Sequence, residues 1–121
     1  MSQNNRAKSL TASEALYIDR RRRGMTQARY AKIHRTSVDK IHKWEAGLVP
    51  KDRDGEEFPC PKVDITWSQL SVNEQCVIMR RRNRMSRTDL ADALGVSQQW
   101  VSQMERGRQN AAKLVSYWKL A

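Results

Sequence analysis

Three glutamines, Gln98, Gln99 and Gln103, fall within GVSQQWVSQMERG (95–107), interleaved with Val96, Val101 and Met104 at helical spacing. A glutamine amide donates and accepts at once, which matches the N6 and N7 edge of adenine in a DNA major groove. Gln99 and Gln103 are four residues apart and share a helix face, and Ser97 stands directly before them. The competing interpretation is a solvated polar helix face. Sixty residues earlier, SVDKIHKWEAG (37–47) offers Ser37, Val38, Asp39, His42 and Lys43 in the corresponding places. Valine can meet a thymine methyl and lysine a guanine, whereas an aspartate is favourable only where it accepts from cytosine.

The element that holds such residues emerges from an internal repeat. Slid by sixty, LTASEALYIDRRRRGMTQARYAKIHRTSVDKIHKWEAG (10–47) lies without gaps on LSVNEQCVIMRRRNRMSRTDLADALGVSQQWVSQMERG (70–107), with 11 of 38 positions identical. The identities include an Arg triplet, Met25/Met85 and a terminal Glu-x-Gly. Each copy reads as three short helices. The first opens at a capping box, Thr11-x-x-Glu14 or Ser71-x-x-Glu74, and ends in arginines that suit the helix dipole. The second starts at Thr26 or Ser86 as N-cap and runs to about Ile33 or Leu94. Gly95 suits the tight turn that follows in the second copy, where the first copy has His34 and Arg35 in place of Leu94 and Gly95. The third helix runs from Ser37 or Ser97 to about Glu45 or Glu105 and stops at Gly47 or Gly107. A fourth helix within NAAKLVSYWKLA (110–121) is expected to close the second copy. No strand signal stands out, so the fold class is all-α.

Helix, tight turn, then a helix with polar residues at its start is the helix-turn-helix arrangement. RMSRTDLADALGVSQQWVSQMERG resembles the Cro/CI-type (XRE) family of bacterial and phage DNA-binding proteins over its whole length, its glutamine spacing being similar to that of lambdoid phage repressors. GMTQARYAKIHRTSVDKIHKWEAG shares the T-Q-x-x-x-A and I-x-x-W-E-x-G parts and departs at the turn. The resemblance implies two tandem lambda-repressor-like units. It implies base contacts from Ser97, Gln98, Gln99 and Gln103, with Ser37, Val38, Asp39 and Lys43 in the same places of the first unit. It also implies buried ion pairs, Arg20 with Glu45 and Arg80 with Glu105. Phosphate contacts are expected from Thr26, Gln27, Ser86 and Arg87 at the starts of the second helices, and from Ser102, Arg106 and Arg108.

Composition supports a polyanionic partner. The chain has 121 residues, a net charge of +10 and a pI near 10.2. Residues 1–47 carry eleven Lys/Arg against four Asp/Glu and residues 70–121 nine against four, while 48–69 carry three against five. The expected domains are therefore a disordered tail over 1–9 with Arg6 and Lys8, a unit at 10–47, an acidic Pro-containing linker at 48–69, and a unit at 70–121. Trp44, Met104 and Cys76 read as core residues. Cys60 and Cys76 lack metal-ligand spacing, so neither a metal nor a cofactor is expected, and a disulfide between them stays open. No apolar run spans a bilayer and no signal-peptide core follows the polar start, so cytoplasm is the expected location.

The function these features point to is a sequence-specific regulator of transcription, a repressor, that binds a double-stranded DNA operator and is not an enzyme. Its site should be long and asymmetric, with half-sites about 10 bp apart. A homodimer is compatible with residues 110–121. Two rivals stay open: the antitoxin of a toxin–antitoxin pair, gripping a toxin as well as its operator, and an RNA-binding or architectural protein.

Overall fold

The structure is a computed structural model and describes residues 9–120. Among them it is helical, with one isolated antiparallel bridge, Lys51 to Glu57, and no strand. Two compact units divide the chain, the first ending at Thr66 and the second beginning at Trp67. Nearly all of the expected tail, residues 1–8 with Arg6 and Lys8, lies outside the described residues.

The first unit contains α1 (Ala12–Arg22), α2 (Gln27–Ile33) and α3 (Val38–Glu45). Each begins at a hydroxyl N-cap: Thr11 accepts from the Glu14 N–H, Thr26 from Arg29 and Ser37 from Lys40. Their buried faces supply Leu16, Tyr30, Ala31, Ile41 and Trp44 to one core. Residues 48–66, read from the sequence as linker, belong to this unit. Phe58, Cys60 and Val63 pack against that core, and the Trp44 indole N–H donates to the Phe58 carbonyl at 2.8 Å. The physical reason is that three helices this short leave one flank of Trp44 uncovered, and a buried indole N–H needs an acceptor.

The second unit holds α4 (Val72–Arg82), α5 (Arg87–Leu94), α6 (Gln98–Glu105) and α7 (Ala112–Trp118), preceded by a 3-10 turn at Trp67–Gln69. Ser71, Ser86 and Ser97 cap the first three helices, the first two through complete capping boxes. Cys76, Leu90, Ala91, Val101, Met104 and Leu114 form its core, so α7 closes this unit from the far side. Asn110 accepts from the Ala112 N–H at 2.8 Å and helps to start α7.

The turn after α2 shows how backbone geometry overrides side-chain preference. The Val96 N–H bonds to the Ala91 carbonyl at 3.0 Å around Gly95, whose φ of 69° is left-handed. The Thr36 N–H bonds to the Ala31 carbonyl at the same 3.0 Å, although the left-handed residue there is Arg35 at φ 52°. Both are the doubly bonded helix end that satisfies terminal carbonyls. One turn earlier the roles reverse: Gly24 has φ 63°, and its repeat counterpart Arg84 has φ 54°.

Candidate nucleic-acid interface

At the heart of each unit is a buried glutamate. Arg80 Nε lies 2.7 Å from Glu105 Oε2 and its Nη2 3.3 Å from Oε1, while Nη1 donates to the Met85 carbonyl at 3.0 Å. Arg20 makes the same three bonds to Glu45 and Met25, at 2.6, 3.0 and 3.0 Å. The hydrogen bond to Glu45 raises the pKa of the Arg20 guanidinium despite its partial burial. A third donor joins each pair: Gln27 Nε2 at 3.0 Å from Glu45 Oε1, and Arg87 Nε at 3.2 Å from Glu105 Oε1. Each network ties the first helix, the start of the second and the end of the third together. It thereby fixes the pose of the third helix.

The third helices carry the residues singled out for base contact. On α6, Gln98 and Gln99 are exposed. Gln103 is half-buried and accepts from Gln109 Nε2 at 3.3 Å. Their opposite face, Val101 and Met104, is fully buried. The Ser97 hydroxyl is occupied as the N-cap, accepting from the Trp100 N–H at 3.1 Å. Trp100 packs on the core, with Lys113 Nζ 4.8 Å from its ring centroid. On α3, Val38 is 48% exposed, His42 is exposed, and Lys43 pairs with Asp39 at 3.2 Å. Ser37 is likewise a cap, and Lys40 Nζ sits 3.8 Å from the Phe58 ring centroid.

The residues expected at phosphates divide into two groups. Arg106 and Arg108, just past α6, are exposed, and Ser102 is half-buried. Gln27 and Arg87 instead turn inward onto the glutamates. Both occupy the position eighteen residues before their glutamate, so two long donors at one repeat position were the available signal. Thr26 and Ser86 cap the second helices. At Ser86 the backbone N–H already donates to Asp89 Oδ2 at 3.0 Å, and those Ser86 bonds lower the Asp89 pKa. A carboxylate thus occupies the start of α5. At the start of α2 the same position is Arg29.

Cys60 and Cys76 are free thiols, and burial pushes the Cys76 thiol up to about 12. Among the described residues no group of three or more His, Cys, Asp or Glu could hold a metal ion, and no helix is long and apolar enough to cross a membrane.

Comparison with protein families matches the segment 78–116, from the middle of α4 into α7, to a family described as a helix-turn-helix domain. Residues 78–116 are similar to a helix-turn-helix domain. Within it α5 and α6 are the two helices flanking the Gly95 turn, and the match supports a DNA-binding unit. No curated protein and no solved structure matches the chain. In the helix-turn-helix arrangement the second of the two helices lies in the major groove with its first residues at base edges. The second helix of the matched segment is α6, which begins with Gln98 and Gln99.

Proposed function

We propose that the chain is a sequence-specific double-stranded DNA-binding regulator, a repressor, and that α6 and α3 are its two reading helices. The observation that carries this is the two-sided character of α6 inside the helix-turn-helix domain. Val101, Met104 and Glu105 anchor one face, while Gln98 and Gln99 stand exposed at the end that would enter the groove. Amides there serve no packing purpose and match adenine edges. Arg106 and Arg108 supply phosphate contacts that set register without reading sequence. The first unit is assigned the same role because its α3 has the same caps, the same turn bonds and the same glutamate network as α6.

The test is a competition between a selected duplex and random duplex near 0.15 M salt, with wild type and with Gln98→Ala or Gln99→Ala. Each substitution should cost about 1–3 kcal/mol on the selected duplex, relax preference at one base, and leave random-duplex binding unchanged. An unchanged base preference with no loss on the selected duplex would return the glutamines to a solvated face, and equal losses on both duplexes would make them backbone contacts. Failure of the wild type to discriminate would favour an architectural or RNA-binding protein.

A further inference from the structure

The exposed face of α3 carries an ion pair where α6 carries two amides. Lys43 Nζ lies 3.2 Å from Asp39 Oδ2, with the two side chains 43% and 68% exposed. The sixty-residue repeat sets Asp39 on Gln99 and Lys43 on Gln103. So exposed a pair adds little to stability. Residues 1–47 carry eleven Lys/Arg against four Asp/Glu, so a carboxylate at this place works against the approach of any polyanion unless it meets a donor.

The major groove presents two donors, the cytosine N4 and adenine N6 amino groups. Beside adenine N6 lies N7, an acceptor that repels a carboxylate. The cytosine ring itself has only C5–H beside N4, and the acceptors next to it, O6 and N7 of the paired guanine, are open to a cation. We propose that Asp39 and Lys43 act together as the reader of one C·G pair. The carboxylate accepts from cytosine N4, and the ammonium donates to guanine O6 and N7. A donor and an acceptor set four residues apart on one helix face, 3.2 Å from each other, match the adjacent edges of a single base pair. The chain then selects cytosine under α3 and adenine under α6. This assignment rests on α3 entering a major groove, as proposed for the chain.

Selection of bound duplexes from a random pool by the full-length chain tests it. The wild type should enrich an adenine-rich segment and, outside that segment, a C·G position. Asp39→Ala should lower the preference at the C·G position by about tenfold or more and leave the adenine-rich segment intact. Asp39→Asn, whose amide suits adenine, should move the preference at that position from cytosine to adenine. Gln99→Ala should do the reverse of Asp39→Ala, weakening only the adenine-rich segment. Persistence of the C·G preference in Asp39→Ala, or a wild-type pool with adenines and no C·G position, overturns the paired reader and leaves the glutamine assignment standing. A pool with neither enriched overturns both. Circular dichroism of each variant confirms the helical fold.

Discussion

At the scale of single residues, the buried glutamates are costly polar groups to remove. The Glu105 side chain is fully buried and receives Arg80 and Arg87. Removing it leaves the largely buried Arg80 uncompensated, because the guanidinium cannot shed its proton. Glu105→Ala should therefore destabilise the second unit by about 3–5 kcal/mol, read as a lower urea midpoint at unchanged slope. A loss below about 1 kcal/mol would contradict this account. Arg35 gives the opposite case. Its left-handed backbone at φ 52° costs about 1–2 kcal/mol relative to glycine. Arg35→Gly should accordingly raise the first unit's thermal midpoint, whereas Gly95→Ala should lower the second's. No change in either would mean that the turn is not strained.

At the scale of elements, what was legible in the sequence was local. Hydroxyl caps at Thr11, Thr26, Ser37, Ser71, Ser86 and Ser97 open every helix of the repeat, because a side-chain oxygen three residues before a bare N–H is a short-range device. Arginine–glutamate pairing followed from a resemblance, since a 25-residue separation has no local signature. Closure of the first unit was not legible. The segment VPKDRDGEEFPCPK is polar and broken by prolines, and one aromatic among them carries no periodicity. Its Phe58 nonetheless covers the flank of α3, ring against Lys40 and carbonyl against Trp44, where the second unit uses Lys113 of α7 beside Trp100. Phe58→Ala should destabilise the first unit by about 2 kcal/mol, below the range for fully buried phenylalanines because Phe58 is half-buried. Hydrogen exchange would locate the loss in α3, and protection unchanged there would make Phe58 a passive surface residue.

At the scale of the whole molecule, the question is how many readers one chain provides. Each unit has its own core, its own glutamate network and a capped third helix with an exposed face. The proposed reading faces differ, amides in one and an ion pair in the other, so the proposed operator is asymmetric rather than palindromic. A net charge of +10 favours non-specific duplex binding at low salt, which makes site length more telling than affinity. The most direct measurement is a hydroxyl-radical footprint at one chain per selected duplex near 0.15 M salt. The account predicts two separately protected backbone segments per chain, each flanking one major-groove face, the adenine-rich one lost on Gln98→Ala combined with Gln99→Ala. A single short protected segment per chain would contradict it.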